Sequence, residues 1–486
     1  MHAITKLMLL TTAIAAFVTA VDAEDAWPCK VLFIIADDCS ANFGNTYGGK
    51  WIRTPNIDKL AAEGLVFDNV YTPTAKCSPS RAAILTGRYP WQLEDAANHQ
   101  PLFPPKFMAF TEALAQSGVV CGSSGKTWGP GVAKTSEDKP RDFSLEAGAG
   151  KSPEQAFATF LKSRARDKPF FYWFGSYNPH RPYKAGAGIA GGKKPEDIDH
   201  VPAYWPDCET VRGDMLDYAV EVEAFDAQVG SLIAALEESG HRKDTMVIVT
   251  SDHGMPFPRV KGHTFPDAHR VPFVVSHPSG KSGSPRRIAD FINFIDLAPT
   301  LLELFSVDGA AKGMSPLSGR SFTDLLRGEA KSVRPFVIVG RERNDTNVRP
   351  GSHSGLGYPV RAIREGEFFY VHNFDPERWP CGDPESNFMD SDNGPTKSWI
   401  MNLDHDSIAW QQAFGKRPQQ MLFQVSKDQD CMTNLASDPK FSNKTNALRE
   451  KLMAELKTQN DPRALGHGEV FDAYESPNSR PRRLGK

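Results

Sequence analysis

Val31-Leu32-Phe33-Ile34-Ile35-Ala36 is a continuous apolar run that stops at Asp37-Asp38. Lacking any polar alternation, it has the pattern of a strand buried on both faces, as in a sheet covered by helices on each side. Similar short runs recur at Phe170 to Phe174, at Met246 to Val249 and at Pro272 to Val275, and Val119-Val120-Cys121 is a shorter one. Stretches with helical spacing separate them. The clearest predicts a helix from about Val211 to Glu238, with Met215, Ala219, Val222, Val229, Ile233 and Leu236 on one face and Gly240 closing it.

Strands alternating with helices imply an α/β fold, and in open sheets of that kind ligands gather beyond the carboxyl ends of the strands. Polar groups stand at those positions here. Asp37-Asp38 follows the first run, Asn178-Pro179-His180 the second and Ser251-Asp252-His253-Gly254 the third, while Lys126 comes just after Gly122-Ser123-Ser124-Gly125. After about Arg334 the composition shifts toward Gly, Pro, Asn and Asp, with strand candidates at Phe336 to Val339 and Glu367 to His372. The expected organisation is a catalytic domain over 24–333, a smaller C-terminal domain over 334–475 and a polar, basic, frayed tail over 476–486. The chain has no internal repeat.

Composition narrows the function. A chain of 486 residues with 40% apolar residues can bury a large core and is enzyme-sized. Lys and Arg number 56 against 59 Asp and Glu, so no whole-chain field draws it to nucleic acid or anionic lipid. An anionic substrate must then be held by local cations. Lys6, the apolar stretch Leu7 to Val21 and the small residues of Val21-Asp22-Ala23 predict a signal peptide over 1–23. A secreted or periplasmic, extracytoplasmic location follows. That stretch is short for a bilayer and no later segment reads as transmembrane, so no stable membrane span is expected. The seven cysteines, at 29, 39, 77, 121, 208, 381 and 431, leave at least one unpaired, and export permits some to oxidise. Asn344 and Asn443 begin glycosylation sequons, relevant only in a host that uses them.

The sharpest local signal is Cys77-Ser78-Pro79-Ser80-Arg81 followed by Leu85-Thr86-Gly87-Arg88. At average residue frequencies, Cys, Pro and Arg at this spacing would arise by chance in such a chain on the order of a few per cent of the time, and the downstream Thr-Gly-Arg makes it rarer. A lone cysteine is ordinarily a buried or disulfide-bonded residue, and the motif outweighs that reading. Adjacent carboxylates such as Asp37-Asp38 repel unless a cation lies between them, and hard oxygen ligands favour calcium or magnesium. Alone, the pair would read as a turn or helix cap.

Cys77 to Arg81 with Leu85 to Arg88 resembles the signature of type I, formylglycine-dependent sulfatases. Asp37-Asp38, Thr54-Pro55-Asn56-Ile57-Asp58, Gly125-Lys126, Asn178-Pro179-His180, Ser251-Asp252-His253-Gly254, Lys261 and Arg270-Val271-Pro272 fall in that family's order. The resemblance implies an alkaline-phosphatase-like fold, with a large mixed sheet flanked by helices and a smaller C-terminal α+β domain carrying a short antiparallel sheet. It also implies that a separate formylglycine-generating or maturase enzyme oxidises Cys77 to formylglycine. Arg81 would help hold that residue. One calcium ion would be bound by Asp37, Asp38, Asp252 and His253, with the oxygen at position 77 completing the shell. Many sulfatases carry Asn where this chain has His253, while iduronate-sulfatase-like members also read Asp-His.

By the same resemblance Lys126, Lys261 and His180 contact the sulfate, and His180 protonates the leaving atom. One hydroxyl of the hydrated aldehyde attacks sulfur, and deprotonation of the other expels sulfate, so water never attacks sulfur. One departure stands out. Family members carry a histidine two or three residues beyond the lysine, and this chain reads Lys126-Thr127-Trp128-Gly129-Pro130. His99, His263 and His269 are the candidate replacements, each with an equal claim to being an ordinary surface histidine.

The substrate stays open between two patterns. Gly254-Met255-Pro256-Phe257-Pro258 with Lys261 resembles the N-sulfoglucosamine sulfohydrolases, the heparan N-sulfatases, whereas Asp252-His253 and the stretch Gly125 to Gly131 lean toward iduronate-2-sulfatases. Both imply a sulfated, heparan-like glycan carrying a sulfate ester or N-sulfate, while bacterial sulfatases of similar sequence act on other sulfated polysaccharides. Arg341-Glu342-Arg343-Asn344 and Trp379 are candidate contacts to an acidic sugar, against the plainer reading of a solvated charge run. A phosphonate or phosphate ester hydrolase of the same superfamily and a non-catalytic glycan-binding relative are the alternatives.

Overall fold

The computed structural model describes residues 30–474 apart from 42–43, 149, 151, 164–167, 277–284, 330–331, 346–348 and 350–354. The expected signal peptide over 1–23, Cys29 and the expected tail over 476–486 lie outside the described residues.

Among the described residues the large sheet has nine strands. Its order from one edge is Arg286–Asn293, Leu65–Tyr71, Phe273–Ser276, Met246–Ser251, Lys30–Ala36, Phe170–Gly175, Val120–Gly125 and Glu146–Ala147, with the short Arg270–Val271 strand pairing with Leu65–Tyr71. The run that opened the sequence reading is the central strand. It lies parallel to Phe170–Gly175 on one side and to Met246–Ser251 on the other. The Pro272 to Val275 run forms its strand one residue later, at Phe273–Ser276, and runs antiparallel to both neighbours. The sheet is therefore mixed.

Both faces of the central strand are covered, which is why its sequence does not alternate. Leu32, Ile34 and Ala36 pack into a core with Val211, Met215, Val222, Val229 and Leu236 of the long helix Glu209–Glu238. Val31, Phe33 and Ile35 point the other way, into a core with Ile84, Leu85, Phe110, Leu297 and Leu301. At about 1.5–3 kcal/mol for each fully buried large side chain, these two layers clamp the strand from both sides. The long helix also buries three acids that tie down loops. Asp226 accepts from the backbone N–H of Asn56 and Ile57, Asp217 from Gly186 and Gly188, and Asp214 grips the Arg181 guanidinium.

Beyond the large sheet, Phe336–Arg341, Val360–Glu365, Phe368–Asn373 and Gln420–Gln424 form a four-stranded antiparallel sheet. Leu448, Leu452 and Leu456 of the helix Ser442–Thr458 pack on Ile338, Ile363, Tyr370 and Leu422 of one face. Cys39, Cys77, Cys121, Cys208, Cys381 and Cys431 form no disulfide with one another. Among the described residues no helix is long and apolar enough to cross a membrane.

Candidate active site

Four neighbouring strands deliver the site from their carboxyl ends. Ala36 lies opposite Ser251, so Asp37-Asp38 and Asp252-His253 emerge side by side. Asp38 sits at φ 75°, in the left-handed region that costs a non-glycine residue energy, and its N–H donates to Asp252 Oδ1 at 3.1 Å. Lys126 follows the Val120–Gly125 strand where Gly125 faces Gly175. A Cβ on Gly175 would lie 1.6 Å from the Lys126 carbonyl oxygen, so only glycine lets the lysine turn across the strand end. Its Nζ then meets both Asp37 carboxylate oxygens, at 2.7 and 2.6 Å. Lys261, from the loop after His253, donates to Asp38 Oδ2 at 2.7 Å and lies 2.9 Å from Asp392.

Cys77 is the first residue of the helix Cys77–Thr86, every residue of which is buried. A helix N-terminus favours negative charge at that point. The sulfur lies 3.5 Å from Asp37 Oδ1 and 3.4 Å from His253 Nε2. One turn on, Arg81 braces the floor: Nε donates to Asp252 Oδ2 at 2.9 Å, and Nη1 to the carbonyls of Lys126 at 2.6 Å and Thr127 at 2.9 Å. Burial pushes the Cys77 thiol up, but Lys126, Lys261 and His253 outweigh it and hold it well below its ordinary value. Position 77 is thus a place built to carry an anion.

His180 reaches the site from beyond the Phe170–Gly175 strand. Its Nδ1 donates to the Arg181 carbonyl at 2.5 Å, and Nε2 lies 3.8 Å from Asp38 Oδ2. The fork between Arg181 and Asp214, at 2.9 and 2.8 Å, anchors that turn to the long helix.

The acidic group fits a cation. Asp37, Asp38, Cys77 and His253 offer ligand atoms within 4.8 Å of one another, all buried. His253 donates Nδ1–H to the Gly254 carbonyl at 3.0 Å, which in the neutral ring leaves the Nε2 lone pair facing Asp38 Oδ1 at 3.2 Å. Two lone pairs that close require a proton or a metal ion between them. Asp252 Oδ1 lies 3.7 Å from the same nitrogen, on the cluster's edge. Burial, with Cys77 and Asp252 beside it, raises the Asp37 carboxyl well above its ordinary value despite Lys126. Burial also pushes Asp252 up, yet His253 and Arg81 bring it down to about 2. Carboxylate oxygens suit calcium or magnesium, and the single imidazole is the softer member of the set.

The three candidate histidines part company. His263 Nε2 lies 2.7 Å from Cys381 Sγ and His269 Nδ1 donates to the Thr72 carbonyl at 2.9 Å, both fully inside the protein. His99 lines a cavity of about 950 Å³ that also takes in Cys77, Lys126, His180 and Lys261. Asp345 and Asp392 line it too, from loops after the small sheet begins, and Tyr177 stands at its rim 66% exposed. These three carried no motif. The Arg341-to-Asn344 segment is not an exposed charge run: Arg341, Glu342, Arg343 and Asn344 are all buried. Glu342 is held by Arg361 and Arg463, and Trp379 packs against Phe388 and Trp410.

A family model described as Sulfatase matches residues 30–307. N-sulphoglucosamine sulphohydrolase of Homo sapiens is 27% identical over 503 residues, covering 94% of this chain and 95% of the relative. An ulvan-active sulfatase of Formosa agariphila is 24% identical over 512 residues, covering 93% of this chain and 79% of the relative. Among solved structures, the phosphonate monoester hydrolase of Agrobacterium radiobacter superposes with a TM-score of 0.64 at 18% identity, covering 89% of this chain and 96% of that one. The fold is alkaline-phosphatase-like, as the motifs implied.

Proposed function

This chain belongs to the sulfatase family of hydrolases, and from that premise we propose that it removes sulfate ester or N-sulfate groups from a sulfated, heparan-like glycan, using formylglycine derived from Cys77 and one calcium ion. The observation that carries this reading is the setting of Cys77: a buried helix N-terminus between Lys126, Lys261 and His253, in a field that draws its thiol well below the ordinary range. The names of the relatives, a glucosamine N-sulfatase and an ulvan-active sulfatase, support a sulfated glycan.

Formylglycine would supply a hydrated aldehyde as nucleophile, and calcium, which Asp37, Asp38, Asp252 and His253 would hold, would supply positive charge that favours an anionic oxygen there. The chain's own residues do the rest. Lys126 and Lys261 line the cavity, held in place by Asp37 and Asp38, and bind the non-bridging sulfate oxygens, so that fixed positive charge meets the charge that develops there. His180, its Nδ1 proton fixed on the Arg181 carbonyl, gives the Nε2 proton to the departing oxygen or nitrogen. Arg81 keeps Asp252 ionised and locks the Lys126 turn to the helix that carries residue 77.

The proposal includes export by the 1–23 signal, conversion by a formylglycine-generating or maturase enzyme, and the 24–333 and 334–475 division. A phosphate or phosphonate ester hydrolase is the second reading, favoured by the fold likeness alone. A glycan-binding role without turnover follows if Cys77 stays a thiol. Mass spectrometry of the Cys77 peptide tests the first reading: conversion replaces CH2SH by CHO, and an unshifted peptide from an active preparation overturns it. Rates on aryl sulfate against aryl phosphate separate the two hydrolases, and a screen of sulfated oligosaccharides identifies the substrate.

A further inference from the structure

A hydrated aldehyde that has passed one oxygen to sulfur regains its carbonyl only if the other hydroxyl gives up its proton. Most groups around Cys77 are committed elsewhere. Lys126 and Lys261 are paired with Asp37 and Asp38. Asp252 is taken by Arg81, and His253 faces Asp38 and the cation ligands. His180 sits at the mouth with its side chain 38% exposed, placed for the leaving atom.

His99 is different. It lines the same cavity as Cys77 and is 8% exposed. Its Nδ1 lies 3.0 Å from Asp345 Oδ1, while Nε2 is buried and has the Cys77 side chain as its polar neighbour. A carboxylate at Nδ1 orients the ring and matches the positive charge that forms when Nε2 takes up a proton. With Nδ1 spent on Asp345, Nε2 is the atom left for residue 77. The arrangement is built in, because two segments far apart in sequence clamp it. His99 N–H donates to the Arg343 carbonyl at 3.0 Å, Arg343 N–H donates to Asn98 Oδ1 at 3.2 Å, and Gln100 Nε2 donates to Asp345 Oδ1 at 3.0 Å. Lys76 Nζ lies 3.6 Å from Asp345 Oδ2 and helps keep that carboxylate ionised.

We propose that His99 is a catalytic base for sulfate release, with Asp345 as its positioning residue, an inference that rests on formylglycine at position 77. The proton of the remaining hydroxyl moves to Nε2. Its O–H electron pair closes the carbon–oxygen double bond, and the bond from that carbon to the sulfated oxygen breaks, its electrons leaving on sulfate. The Nδ1 proton stays on the ring, donated to Asp345, and Nε2 returns its proton to water. The histidine absent after Lys126 is thereby replaced from a different part of the chain.

The experiment compares wild type, His99→Gln and Asp345→Asn, each with its Cys77 peptide checked for conversion and its thermal unfolding measured, by rapid mixing with an aryl sulfate and intact-mass analysis of the quenched protein. His99→Gln is expected to release its first phenol at close to the wild-type rate, then fall about 10²–10³-fold in steady state, with the protein mass raised by one SO3 over the aldehyde hydrate. Asp345→Asn is expected to lose about 10-fold or more in kcat with KM falling in parallel, so that kcat/KM is kept, and to show the same added mass. Wild-type turnover by His99→Gln, or loss of its first turnover with no added mass, overturns the inference. So does an Asp345→Asn protein that keeps wild-type kcat. An unconverted Cys77 in active wild type overturns the formylglycine reading, and is seen before the variants are compared.

Discussion

Arg81 Nε donates to Asp252 Oδ2 at 2.9 Å with neither side chain exposed to solvent. The pair joins the helix that carries Cys77 to the strand end that carries the metal-ligand candidates. Removing the guanidinium leaves a buried carboxylate without its counter-charge, at a cost of about 3–5 kcal/mol. Arg81→Met is therefore expected to lower the unfolding free energy read from a denaturant titration by that amount. Asp252 is an acid whose folded value lies at about 2, below its ordinary 3.8. Its contribution is fully present above 3.8 and is lost as the pH falls through about 2, so acid unfolding of the wild type in that window should weaken in the variant.

Cys77→Ser should abolish sulfatase activity in a host whose converting enzyme accepts only cysteine, leaving the fold intact because the side chains are nearly isosteric. Activity assays and thermal unfolding on the same preparation check this. Full activity would sink the proposed nucleophile.

Lys126→Ala and Lys261→Ala each remove one preplaced cation from the sulfate site. A loss of about 10²–10³-fold in kcat/KM is expected for either. Arginine at these positions should restore little, since a planar fork does not occupy the place of a compact ammonium. Steady-state kinetics with an aryl sulfate decides it.

His180→Ala should show a dependence on the leaving group. Substrates that depart as alkoxide or amine should lose about 10²–10⁴-fold in kcat, whereas a nitrophenyl sulfate, which needs no proton, should lose far less. A uniform loss across the series would assign His180 to binding alone.

Chelation should lower the unfolding temperature, because an ion bound only by the folded state stabilises it, by about 2.7 kcal/mol at 100 times its dissociation constant. The cation needs Asp37 ionised, and that carboxyl is raised well above its ordinary value. Ion affinity should therefore fall as the pH drops through that raised value. The gap between calorimetric scans with calcium and with a chelator should widen as the pH is raised and narrow as it is lowered.

Much of the large sheet was legible because a strand covered on both faces must be apolar throughout. The long helix was legible because its buried face repeats at helical spacing; it begins two residues earlier than its pattern, at Glu209. Strand direction was not, since an apolar run reads the same whether it pairs parallel or, like Phe273–Ser276, antiparallel. The strand-end residues came together around Cys77 as the α/β rule predicts. The C-terminal contributions escaped notice for a physical reason: Asp345 and Asp392 lie in loops with no periodicity, and only the fold brings them to Lys76 and Lys261. Arg341 and Arg343 look solvated by composition, yet Arg341 finds Asp390 in a distant loop and Arg343 is buried beside His99. Choosing among His99, His263 and His269 needed coordinates, because nothing local distinguishes them.

Cys77 is 1% exposed, in the opening turn of a helix that is buried along its whole length. In the folded protein that thiol is out of reach of any enzyme in solution. On the proposed function, maturation and folding compete for the same ten residues, and a molecule that folds first is shut out as a thiol. The specific activity of a preparation would then record a race run during synthesis and export, and slowing the folding of this helix, rather than adding more converting enzyme afterwards, would be the way to raise it.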